Sequence, residues 1–215
     1  LSAAQLKSFT TTGISKLTSS QVGVLTATQV KGLSTEALAA LTTTQAPGLV
    51  DAQLKVLSEA QLQAMNSSTV GALTTSQIKV LSTSQVQSLT TAATAALTSN
   101  QVNALSTSQI KALSGDQIAA LSTTAMHNLS TTNLAALTTA QINALETEDL
   151  AQLQNSQLAA LSTDQIRNLS TDLVTSLTTS QVSVLSAAQI TALTGSQFGK
   201  MTTDQIKALT AAQAK

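Results

Sequence analysis

The chain has 215 residues with ten acidic and ten basic side chains, so its formal net charge at pH 7 is zero. Charged residues make up 9% and aromatic residues 1%, whereas ordinary globular domains carry about 25% charged residues. Zero net charge argues against a clustered basic nucleic-acid footprint and a polybasic membrane patch, the absence of Cys rules out disulfides and thiolate metal sites, and a hydrophobic content of 42% argues against disorder.

From Leu1 onward the sequence falls into blocks of eight, and the register never shifts. Leu opens nearly every block, as at Leu17, Leu25, Leu33 and Leu41, with Phe9, Met65 and Met201 as apolar exceptions. The consensus is Leu, Ser/Thr, Thr, Ser-like, Gln, Ile/Val/Leu, variable, Ala. Twenty-six full blocks cover residues 1–208 and a partial one follows, so 1–215 reads as a single continuous array and as a stretch of a longer one. No apolar run approaches the roughly 18 residues of a membrane span, so membrane insertion is not expected.

In chain order, each block predicts its own short helix. An irregular stretch is Thr42–Gln53 (TTTQAPGLVDAQ), where Pro47-Gly48 should end a helix early, because Pro lacks an N–H and pushes Ala46 from helical angles. Val50, Asn66, Glu146 and Gln154 replace the usual second-place Ser or Thr. Clean copies follow at Leu73–Val80 (LTTSQIKV), Leu105–Ala112 (LSTSQIKA) and Leu137–Ala144 (LTTAQINA). In these, Thr74 and Gln77, Ser106 and Gln109, and Thr138 and Gln141 have capping-box spacing. The hydroxyl accepts from the backbone N–H three residues on, and the Gln side chain reaches back to the cap N–H. Leu73/Ile78, Leu105/Ile110 and Leu137/Ile142 are hydrophobic-staple pairs that set how the chain enters each helix. These twelve residues define the structural repeat positions.

Charge placement gives the same answer independently. Glu36, Asp51, Glu59, Asp116, Glu148, Asp164, Asp172 and Asp204 lie in the third or fourth place, whereas every base, from Lys7 to Lys215, lies in the seventh or eighth. Acids at a helix start and bases at its end complement the macrodipole, so helices restart every eight residues. A continuous helix would carry its apolar stripe around its axis, since a block of eight does not make a whole number of turns of about 3.6 residues. A β-solenoid would want alternation, but the first and sixth places have opposite parity.

One block cannot fold alone: burying one Leu, one Ile and one Ala does not offset ordering eight residues, and its helix is far shorter than an isolated helix needs. The blocks must stack, with Ala at the eighth place (Ala104, Ala112, Ala120, Ala136, Ala144) permitting close approach. Lys7, Lys31, Lys55 and Lys79 recur at every third block, and departures from Gln at Gly13/Ala37, Thr69/Ala93 and Asp149/Leu173 keep that interval. The expected fold is therefore all-α, a solenoid or superhelix of very short helices, one per repeat and about three per turn.

Few residues suggest chemistry. His127, the sole His, occupies the variable seventh place and reads as solvent-facing; Glu146, Glu148 and Asp149 could attract a cation but read as a crowded helix start; Phe9 and Phe198 read as core. No catalytic triad, phosphate loop or metal-ligand set is recognisable, so no enzyme, cofactor, metal site or small-molecule ligand is expected.

Leu25-Thr26-Ala27-Thr28-Gln29-Val30 resembles the start of TAL-effector repeats, but only over six residues; that family's longer unit, base-reading loop and basic stripe have no counterpart here, and the match is one of capping chemistry. Over its whole length, in blocks such as LTTSQIKV and LSTDQIRN, the chain resembles the octapeptide (LTTxQIxA-like) arrays of very large bacterial secreted or surface adhesin-like proteins. That resemblance implies an extended extracellular scaffold, spacer or filament-forming element whose partners are its own copies or neighbouring repeats. The alternative is a surface-binding module for ice or a glycan, on the Thr lattice of Thr75, Thr83, Thr91, Thr107, Thr123, Thr131 and Thr139. A nucleic-acid-binding superhelix is the weakest reading, because the basic residues are not clustered.

Overall fold

In a computed structural model, residues 11–214 are described; Leu1, Lys7, Phe9 and Lys215 lie outside them. Among the described residues are 24 α-helices of four to six residues and one 3₁₀ turn, with no strand.

The helices end without a left-handed residue: no described residue has a positive φ. The chain instead turns on two successive extended residues, the first-place Leu and the second-place cap. Leu105 has φ −62° and ψ 137°, and Ser106 has φ −69° and ψ 160° before the helix Thr107–Ala112 begins. The next Leu closes that helix by a tight bond from Leu113 N–H to the Ile110 carbonyl, 3.2 Å. A turn built this way needs no glycine, which is why an array of short helices can contain only eight.

Packing groups the chain into two compact units, Leu1–Leu113 and Ser114–Lys215. In the first, Thr83–Ser88 packs on Thr107–Ala112 and Ser67–Gly71 on Thr91–Ala95; in the second, Thr163–Arg167 packs on Ala187–Ala192 and Thr147–Gln152 on Thr171–Ser176. Within each unit the closest-packed helices are three blocks apart, and helices adjacent in sequence do not form hairpins. Each unit is thus a solenoid-like coil with three helices, and so three blocks, per turn.

The core has two apolar columns. Sixth-place residues from Ile14 to Val182 are closed off almost completely, and first-place residues from Leu33 to Leu185 nearly so. Thr94, the polar residue in the sixth place, is also buried; its hydroxyl donates to the Thr90 carbonyl at 3.1 Å. The eighth-place Ala residues named above are half-buried, and a Cβ built on Gly71 would lie 3.2 Å from the Ala96 Cβ, which shows how close consecutive coils run. Phe198 corrects its expected place in the core, being 41% exposed. Sixth-place residues elsewhere are covered by helices three blocks away, as where Thr83–Ser88 packs on Thr107–Ala112.

Pro47-Gly48 produces a substitution of one turn type for another. Ala46–Gly48 is a 3₁₀ turn in place of an α-helix. Gly48 sits so close to the preceding coil that an added Cβ would lie 2.4 Å from the Ser19 carbonyl oxygen.

Candidate functional site: a ladder of buried glutamines

The repeat positions assemble one recurring unit. In Leu73–Val80, the Thr74 hydroxyl accepts from Gln77 N–H at 3.2 Å and the Gln77 side-chain oxygen accepts from Thr74 N–H at 2.6 Å. The corresponding bonds are 3.2 and 2.8 Å for Ser106 with Gln109, and again for Thr138 with Gln141. Leu73, Ile78, Leu105, Ile110, Leu137 and Ile142 are all buried beside these caps.

The side-chain cap is missing at Val50, Asn66, Glu146 and Gln154. Val50 has no acceptor to offer, so only the reciprocal bond from its N–H to Gln53 survives, at 2.8 Å. Glu36, Asp116, Asp164, Asp172 and Asp204 lie in first turns, and Lys31, Lys79, Lys111, Arg167 and Lys207 in last turns. Glu36 is held below the usual carboxylate range by its own backbone N–H first and the Ser34 hydroxyl second.

The fifth-place Gln caps its helix as its spacing predicts, and the structure adds a second role. A cap on the surface of a first turn would stay hydrated, yet Gln77, Gln109 and Gln141 are all buried. Gln141 shows this plainly: it makes both cap bonds to Thr138 and is nevertheless only 3% exposed. Burial of this kind recurs from Gln45 through Gln213 wherever a full coil precedes the glutamine. The physical reason is visible where the amide nitrogen points away from its own helix. Gln109 Nε2 donates to the Leu81 carbonyl at 2.7 Å and also to those of Ile78 and Lys79, both at 3.3 Å. Those carbonyls mark the junction between two helices in the preceding coil. The same bond to the first-place carbonyl of the preceding coil recurs along both units, from Gln45 to Gln109 in the first and from Gln157 to Gln213 in the second, at 2.5–2.9 Å. One amide therefore accepts from the N-terminus of its own helix and donates to the C-terminal carbonyls of the coil before it, using both its acceptor and its two donors.

Blocks lacking Gln repair the ladder in other ways. Thr69 donates to the Leu41 carbonyl at 2.8 Å, and Asn66 supplies an amide to the Ala39 carbonyl at 2.6 Å. In the Leu169 block, Leu173 cannot accept from the Ser170 N–H, and Asn143 of the preceding coil takes that bond at 2.8 Å. Asn143 also donates to the Asn168 carbonyl. Asp149 is buried in the Gln position; burial pushes its carboxyl up, the Thr123 hydroxyl opposes that, and Glu146 and Glu148 add to it.

His127 is exposed and its Nδ1 lies 2.6 Å from the Gln152 carbonyl, which can only accept, so Nδ1 carries the proton. A shallow surface depression of about 260 Å³ is lined by Thr123, Thr124, His127, Glu148 and Gln152. Among the described residues no group of three or more His, Cys, Asp or Glu could hold a metal ion, and no helix is long and apolar enough to cross a membrane.

The glutamine ladder missed by sequence reasoning left one signal there. A capping box accepts Glu as readily as Gln, yet no fifth place in this chain holds Glu. A carboxylate can accept from the cap but cannot donate to the neighbouring coil, whereas the Gln amide does both.

These features define a tandem-repeat protein of the α-solenoid type, with coils joined by side-chain amides. Models of the ALTTAQ repeat match residues 54–91, 75–107, 95–123, 116–147, 126–155 and 142–179. Together the matches cover residues 54–179, and the chain belongs to the ALTTAQ repeat family. No curated protein matches it.

Proposed function

We propose that the chain is a non-enzymatic structural element: an extended scaffold or spacer, able to form filaments, within a bacterial extracellular or surface protein. One observation carries this reading. The buried polar chemistry of a block, its Gln amide, is fully engaged in joining coils, while exposed third, fourth and seventh places change from block to block. Such a molecule is lengthened by adding coils and needs no unique site. Small-angle scattering tests this on the full chain and on a variant lacking residues 129–152, one whole coil. The expected result is a rod whose longest dimension falls by about 10 Å, the spacing of packed helices, with helicity per residue unchanged. A compact particle whose dimension ignores coil number overturns the reading.

A surface-binding role for the Thr lattice is favoured by exposure: Thr75, Thr83, Thr91, Thr107 and Thr131 all face solvent. Ice-crystal shaping or thermal hysteresis by the purified chain supports it, and their absence disposes of the ice version.

A further inference from the structure

The zero net charge hides a division between the two units. Residues 1–113 hold six bases against three acids, a net +3; residues 114–215 hold four bases against seven acids, a net −3. Three-helix coils sort each unit's helices into three columns, and the excess charge of each unit falls on one of them. In the first unit, Lys31, Lys55 and Lys79 follow one another along the column of Ala27–Lys31, Asp51–Leu54 and Thr75–Lys79, with Asp51 as its acid. A second column there balances Lys16 and Lys111 against Glu36 and Glu59, and the third is uncharged. In the second unit, the column of Thr123–His127, Thr147–Gln152, Thr171–Ser176 and Gly195–Lys200 holds Glu146, Glu148, Asp149 and Asp172 against Lys200. Asp116, Asp164 and Asp204 are balanced by Arg167, Lys207 and Lys215.

We propose that the lysine column of one copy docks on the acidic column of a second copy. This rests on the scaffold reading and names its partner. Lys31, Lys55, Lys79, Glu146, Glu148 and Asp172 are all exposed. The lysines recur at every third block, and Glu148 and Asp172 are likewise three blocks apart. Both spacings are set by the same coil, so the two charge rows are commensurate without adjustment. Isolated surface ion pairs contribute little, but a row of matched pairs acts together and is sensitive to salt.

Sedimentation equilibrium of the full chain at about 20 mM and about 500 mM salt tests the proposal. Association at low salt, weakened at least about tenfold at high salt, is the expected result. The triple variant K31E/K55E/K79E and the double variant E148K/D172K should each be monomeric alone and associate when mixed. Because a Lys in the first helical turn opposes the macrodipole, E148Q/D172N is measured alongside; it should weaken association while keeping wild-type helicity. A wild-type monomer at low salt, or association indifferent to salt and to these substitutions, overturns the proposal. Heparin capture without self-association also overturns it and makes the lysine column a polyanion site. If scattering shows a coil-dependent rod in any of these cases, the scaffold reading survives.

Discussion

Gln109 donates to the Leu81 carbonyl of the preceding coil while its side-chain oxygen accepts from Ser106 N–H at 2.8 Å. Two demands meet in one amide, and substitutions can separate them. Ser106→Ala removes one cap bond and should cost about 1 kcal/mol. Gln109→Glu keeps a cap acceptor at a helix N-terminus but turns a carboxylate toward three carbonyl oxygens, so it should cost at least about 2–3 kcal/mol. Urea denaturation at pH 7 ranks them. If Gln109→Glu is no worse than Ser106→Ala, the ladder contributes nothing beyond capping.

The Met65 block offers a test of repair. Asn66 and Thr69 together reach the Ala39 and Leu41 carbonyls that a Gln at position 69 would address. Asn66→Ala alone, which removes that amide without supplying a cap hydroxyl, should destabilise by about 0.5–1 kcal/mol. Adding Thr69→Gln should restore most of that loss, giving a coupling energy of about 0.5–1 kcal/mol in a double-mutant cycle. Simple additivity between the two would mean that they do not share the junction.

The period, the helix restarts and the three-block coil were legible in the sequence, because cap spacing, charge polarity and apolar places all repeat locally. The inter-coil bond was not, since it joins residues of different coils and hides behind a capping role that explains the same Gln. Gln141 illustrates this: its spacing from Thr138 accounts for both cap bonds, and nothing local to its block requires it to be buried. Phe198 was misplaced for a related reason: its apolar place says which face it occupies, but exposure depends on packing against another coil. Gly48 reads as a helix breaker, whereas the structure shows it as a point where one coil's backbone meets Ser19 of the preceding one.

That meeting predicts a large effect from a small substitution. A Cβ at position 48 would lie 2.3 Å from the Ser19 side-chain oxygen and 2.4 Å from its carbonyl oxygen. The hydroxyl could rotate away, but the carbonyl belongs to the helix start and cannot. Gly48→Ala should therefore destabilise by about 1–3 kcal/mol, although Ala suits helices better than Gly. Gly195→Ala, where nothing lies within 4 Å of the added Cβ, is the control and should be neutral or stabilising. Equal effects at the two positions in thermal melts would remove the close-approach argument.

Asp149 gives the last prediction, and its sign follows from its surroundings. Burial, the largest cause, raises its affinity for a proton in the folded state, with Glu146 and Glu148 acting the same way and Thr123 opposing. A carboxyl raised on folding lowers stability at pH values above its folded pKa. Stability is recovered as pH falls through that value toward the unfolded pKa of about 3.9. Asp149→Gln removes this dependence and places an amide where the ladder geometry would direct it to the Ile118 and Leu121 carbonyls of the preceding coil. The variant should gain about 1 kcal/mol at pH 7, and the gain should shrink as pH falls toward 4. Denaturation of both proteins at pH 7, 5.5 and 4 checks this: a difference that grows on acidification would show that Asp149 is instead stabilised as the carboxylate.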